Sequence, residues 1–162
     1  MKKTQTSVEI NGQIKNQYRT RMEELIPLIC DRIRAGQSVR FSPRGTSMLP
    51  MLGQGKDSVV LSAPPVRLRK YDIPLYRRED GSYILHRIVK VGETYTCMGD
   101  HQYVEEKNMR PEQIIAVVTA FDRGERTIST KNLLYKIYCR IWHYSRFPRR
   151  CLRRVKRFVC KM

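Results

Sequence analysis

From Gln37 to Phe121 the chain is a succession of short apolar runs: "SVRF", "DSVVLS", "IPLY", "YILHRIVKV", "TYTCM" and "QIIAVVTAF". Each is rich in β-branched or aromatic residues and too short to make a helix. Gly, Pro and Asp separate them. A chain so punctuated has little choice but strands, and the pattern predicts a mostly-β domain. Asp80-Gly81 in "REDGSY" stands between two such runs and predicts a hairpin, and "KVGETY" predicts a second. Pro74 within "IPLY" cannot donate to a ladder, which predicts an edge strand there.

Helical spacing flanks this region. Met22, Leu25, Ile26, Ile29, Cys30 and Ile33 predict a helix from Tyr18 to about Arg34, with Pro27 kinking it or marking its first turn and Gly36 ending it. Residues 1–17 are polar and predict a loose leader. After the strands, Leu133, Leu134, Ile137, Tyr138, Ile141 and Trp142 form one helical stripe. Pro148 interrupts it, and Cys151, Leu152, Val155, Phe158 and Val159 form another. The expected division is an N-terminal leader and helix at 1–36, a β-domain at 37–128 and a helical tail at 129–162.

Charge sets the tail apart. The 162 residues carry 32 Lys or Arg against 15 Asp or Glu, and from Lys131 onward there are 11 basic residues and no acid. Such a segment suits an anionic surface, either lipid or nucleic acid. Trp142, Tyr138 and Tyr144 fit the interfacial zone of a membrane. The alternative is that the first stripe packs on the β-domain and the charges are solvated. No apolar run is long enough to cross a bilayer. The five cysteines include no C-x-x-C pair, no histidine stands at finger spacing, and the first residues do not resemble a secretory leader. These features predict reduced thiols, no zinc and a cytoplasmic location.

Three groups could do chemistry. Ser47 lies in "SPRGTSMLP", where Gly45 frees the backbone and Pro50 stiffens the exit. Such a loop can hold a hydroxyl in the open with backbone N–H groups of Gly45, Thr46 and Ser47 beside it. Turn chemistry alone explains a serine there equally well. His86 lies in "YILHRIVKV", where strand alternation puts it between Ile84 and Ile88 on one face. Partial dehydration would keep it neutral and fit to act as a base. The alternative is a core histidine bonded to backbone. Asp100, Glu105 and Glu106 in "MGDHQYVEE" could orient that histidine, or could be solvated loop carboxylates.

In order and combination these motifs resemble the signal peptidase I family. The branch they most resemble is the endoplasmic-reticulum type, which has histidine where typical bacterial members carry lysine. The self-cleaving SOS repressors belong to the same clan. "GTSMLPML" resembles the nucleophile box and "LHRIV" the general-base box. "YDIPLY" resembles the "GDIV" box, with Tyr71 replacing glycine. "MGDHQYVEE" resembles the "GDNN…DD" box, with Glu105-Glu106 for the paired aspartates. "PEQIIAVV" resembles the closing strand, with Ala116 where glycine is usual.

The resemblance implies a signal-peptidase-like β-fold and a serine endopeptidase that cleaves a peptide or protein precursor without metal or organic cofactor. Ser47 would be the nucleophile, His86 the base and Glu106 the orienting acid, with Asp100 the second candidate. Gly45 stands where the family often has a serine that helps bind the oxyanion. The chain also departs from the family in lacking a membrane span before the nucleophile, and from the repressors in lacking room for a DNA-binding module. A peptidase held peripherally at the inner face of the membrane by residues 131–162 fits these features. A non-catalytic module acting through its basic tail, or a self-processing regulator, are the other readings; Ala35–Gly36 is the type of bond the repressors cut, but it lies only 11 residues before Ser47 and would have difficulty folding back into the site.

Overall fold

The computed structural model describes residues 8–9, 22–53 and 55–151. Of the expected leader, only Val8 and Glu9 are among them. They form strand β1 (Val8–Glu9), which pairs with β2 (Val39–Phe41). The remainder of the leader, the helix start at Tyr18–Arg21 and the tail stripe beyond Cys151 lie outside the described residues.

Helix α1 runs from Met22 to Arg34 with Pro27 inside it. Its underside, Leu25, Ile26, Ile29 and Ile33, is buried. Each such side chain taken out of water contributes about 1.5–3 kcal/mol. Gly36 ends the helix as expected. Its φ is 73°, and the Gly36 and Gln37 N–H groups bond back to Ile33 and Arg32 carbonyls at 3.0 and 2.9 Å.

The expected strands form, and β8 and β10 join them besides the unexpected β1: β3 (Ser58–Ser62), β4 (Pro74–Arg77), β5 (Tyr83–Leu85), β6 (Arg87–Val91), β7 (Tyr95–Met98), β8 (Glu106–Met109), β9 (Ile114–Arg123) and β10 (Arg126–Ser129). The fold is mostly β, in two antiparallel sheets. The larger has the order β1-β2-β3-β9-β4-β5, with β10 also on β9, and the smaller has β6-β7-β8. Both predicted hairpins are present. Arg77 pairs with Tyr83 around Gly81 at φ 83°, and Val91 pairs with Tyr95 around Gly92-Glu93-Thr94.

Pro74 does not mark an edge. β4 lies between β9 and β5. Pro74 is its first residue and faces Val117 of β9, while pairing to β5 begins only at Leu75. The missing donor therefore falls where no ladder bond to β5 is required.

The large sheet separates two cores. Leu75, Ala116 and Val118 point into the main cluster, with α1, Met48, Met51 and Leu52. Their neighbours Tyr76 and Val117 point the other way, onto Leu68, Ile88, Tyr95, Cys97 and Met109. The alternation of β4 and β9 is that of strands buried on both faces.

The described start of the expected tail is joined to the β-domain. The expected boundary at 128 falls inside β10, and helix α2 (Leu133–Tyr144) packs on the main core through Tyr135 and Cys139. Of the predicted stripe only Tyr138 and Trp142 turn partly inward, and Leu133, Leu134, Ile137 and Ile141 are exposed. The helix ends at Ser145, and residues 146–151 are helical again. Pro148 thus sits in the first turn of that segment, where its missing N–H has no helical partner to lose. Among the described residues no helix is long and apolar enough to cross a membrane. Cys30, Cys97, Cys139 and Cys151 are free thiols.

Candidate active site

The run "YILHRIVKV" is not one strand. It crosses from the large sheet, as β5, to the small sheet, as β6, and His86 is the residue at the crossing. Its setting is therefore not the strand face between two isoleucines that alternation predicts. It is a corner where both sheets and a loop converge, and the residue is 2% exposed.

That loop is the one carrying Ser47. Met48, Met51 and Leu52 anchor it in the main core, and the Arg123 guanidinium donates to the Met51 carbonyl at 2.6 Å. The peptide before Pro50 is cis. Ser47 is half-buried, and the His101 N–H donates to its carbonyl at 2.8 Å. Ser47 and His86 line one pocket with Pro43, Arg44, Gly45 and Met48. Gly45, at φ 114°, has a backbone that side chains rarely adopt, which accounts for a glycine at that position. Thr46 is exposed, and its carbonyl accepts the Leu49 N–H.

Gly99 shows how closely the two halves of the site approach. A Cβ on that residue would lie 2.7 Å from the Ser47 carbonyl oxygen and 3.1 Å from His86 Nε2. Only glycine fits between them.

The acid is Glu106. Its Oε1 lies 2.9 Å from His86 Nδ1. A carboxylate there accepts Nδ1–H, which leaves Nε2 unprotonated on the side of Gly99 and the Ser47 loop. Glu106 is itself held. Arg78 Nε donates to Oε2 at 2.8 Å and its terminal nitrogen bonds Oε1, while the Tyr76 hydroxyl donates to Oε2 at 2.7 Å. The longer side chain of glutamate is thus braced by two donors from β4 and its hairpin. Glu105 lies apart, 3.1 Å from Arg146. Asp100, the second candidate, does not orient His86. Arg87 takes both its oxygens, at 2.8 and 2.7 Å.

Electrostatics follow from this packing. Burial lowers the His86 pKa and outweighs the opposing pull of Glu106, and Arg78 lowers it further. The ring is neutral at pH 7. Burial alone would raise Glu106, but the bonds from Arg78 and Tyr76 and the nearby positive charge bring it below the usual range. The Cys97 thiol is pushed up to about 12, mainly by burial, so it offers no rival nucleophile. Among the described residues no three His, Cys, Asp or Glu side chains gather as a metal site would require.

Tyr76 and Arg78 were not expected at the site. Their only signal is chemical: a half-buried carboxylate on a neutral histidine has lone pairs left to satisfy, and a Tyr-x-Arg strand end can supply donors. Two residues that differ from the motifs the sequence resembles have distinctive local settings. Tyr71, in place of glycine, holds φ at 80°, so the backbone there keeps a glycine-like conformation. Ala116, also in place of glycine, is fully buried opposite Leu75.

No family model matches the chain, and no curated protein or solved structure matches it either.

Proposed function

We propose that the protein is a serine endopeptidase of signal-peptidase type, acting on a peptide or protein precursor. The observation that carries this is the shared pocket. Ser47 and His86 line it together, while Glu106 holds the far nitrogen of the ring at 2.9 Å. On this reading His86 Nε2 takes the proton as Ser47 Oγ attacks the scissile carbonyl. Glu106, held by Arg78 and Tyr76, stabilises the imidazolium that results. The Ser47 N–H and neighbouring loop donors at Gly45 receive the oxyanion. The imidazolium returns its proton to the leaving amine, an acyl-enzyme forms on Ser47, and water releases it.

The self-cutting alternative gains nothing from the fold. The Ala35–Gly36 bond belongs to the cap of α1, with the Ala35, Gly36 and Gln37 N–H groups all bonded back into the helix. A fluorophosphonate probe tests the main reading. Labelling is expected on Ser47, absent in Ser47→Ala and strongly reduced in His86→Ala. A folded protein that takes no label would leave the non-catalytic reading.

A further inference from the structure

Helix α2 has two apolar faces, and the fold uses only one. Tyr135 and Cys139 are buried inward, with Tyr138 and Trp142 beside them. On the opposite side Leu133, Leu134, Ile137, Ile141 and Tyr144 are 68%, 76%, 42%, 63% and 72% exposed. Leu134, Ile137, Ile141 and Tyr144 recur at the spacing that puts them in one stripe along a helix. Phe147, 77% exposed, follows just after the Ser145 turn.

Charge runs beside this stripe. Lys136 and Arg140, four apart, form the adjoining exposed row, and the segment from Lys131 onward has 11 basic residues and no acid. The stripe also belongs to a fixed element. Asn132 caps the helix by accepting the Leu134 and Tyr135 N–H groups. Arg87 donates to Tyr135 and Cys139 from below, and Trp142 Nε1 donates to the Asp100 carbonyl at 3.1 Å.

We infer that the outward face of α2 docks the protein on an anionic lipid bilayer. The combination of groups selects that partner. Nucleic acid would use the charges and leave five apolar side chains in water. A second copy would cover the apolar stripe but bring two strongly basic surfaces together. A bilayer interface takes both, with aliphatic side chains at the acyl boundary and Lys or Arg at the phosphates. Since the inward face is bonded to the body of the protein, the domain would be held rigidly at the surface. This goes beyond the peptidase reading and does not depend on it.

Vesicle flotation of the full chain tests the inference. Removing residues after 130 would strip Tyr135 and Cys139 from buried Arg87, so exposed-site variants are preferable. The wild type is expected to float with phosphatidylcholine vesicles containing phosphatidylglycerol and to stay behind with phosphatidylcholine alone. Lys136→Ala and Arg140→Ala should each weaken binding about fivefold. Ile137→Ser with Ile141→Ser should weaken it at least about tenfold. Thermal unfolding checks that each variant is folded. Wild-type protein that does not float, or variants that float equally well, would overturn the proposal. So would an Ile137→Ser/Ile141→Ser variant that dissociates a dimer, or loses an oligonucleotide, while floating unchanged. Flotation measures no catalysis, so its failure leaves the peptidase reading intact.

Discussion

His86 and Arg87 are neighbours in the chain, and each takes one acid from the segment 100–106. Their surroundings differ in one decisive way. Arg87 and Asp100 are both 3% exposed at the side chain, and Tyr135, Cys139, Met51 and the Tyr71 carbonyl complete the shell around the guanidinium. Every guanidinium donor there has a partner. His86 is as deeply buried, but its acid is 22% exposed and its second nitrogen faces the Ser47 loop. One pair is a closed anchor joining α2 to the small sheet. The other is an open pair beside the pocket that Ser47 also lines. A buried ion pair does not by itself mark a reactive site; a pair that borders a pocket is the better candidate.

Substituting each pair separately gives the largest effects. Arg87→Met leaves Asp100 buried without its cation and should cost about 3–5 kcal/mol in urea unfolding. Glu106→Gln keeps the shape, and Arg78 can turn to water. It should cost less than about 2 kcal/mol while lowering the rate of probe labelling by about 10²–10⁴. Equal stability losses would erase the distinction between anchor and site.

Gly99 sharpens it next. The residue adjoins Asp100 in the chain, yet a Cβ there would strike Ser47 and His86. Gly99→Ala should cost about 1–3 kcal/mol as the loop gives way. Labelling should fall about 10²-fold, because the Ser47 loop and the His86 ring are forced apart. Labelling at the wild-type rate would mean that their close approach is not needed.

Much of this was legible in the sequence, for identifiable reasons. The β-rich texture, both hairpins and the Gly36 stop follow from backbone rules that tertiary structure did not override. Strands β8 and β10 were missed because "EKNM" and "RTIS" are mostly exposed; they exist through pairing rather than burial. The inward face of α2, Tyr135 and Cys139, was not legible because hydropathy picks out Leu and Ile. The core instead selected a hydroxyl and a thiol, since Arg87 had to be satisfied. The three residues Ser47, His86 and Glu106 were legible as motifs, and the structure brings them to one corner. The strand break at His86 was not, because an alternating pattern reads straight through a change of sheet. The bracing by Tyr76 and Arg78 depends on the β4–β5 hairpin register, which motifs do not encode.

Acidification gives the smallest effect and tests the comparison without a mutation. The folded pKa of His86 lies below its unfolded value of about 6.5. As pH falls below about 6.5 the unfolded chain takes up a proton that the folded chain refuses, and stability declines. The decline levels off once the folded pKa is passed. Glu106 is also lowered, from 4.5. Its contribution is complete above about pH 4.5 and is lost as pH falls through the folded pKa. Both groups therefore act in the same direction, His86 first, each with a slope of at most about 1.4 kcal/mol per pH unit. Arg87 takes no part, since Asp100 holds its proton more tightly than usual against the opposing cost of burial. Labelling should fall with a midpoint below about 6.5, where the base becomes protonated. In His86→Gln the stability loss between about pH 6.5 and 4.5 should shrink while the steeper loss below about 4.5 persists. A labelling midpoint above 7 would mean that Glu106, and not burial, governs the imidazole, and the open pair would then hold its proton as the closed one does.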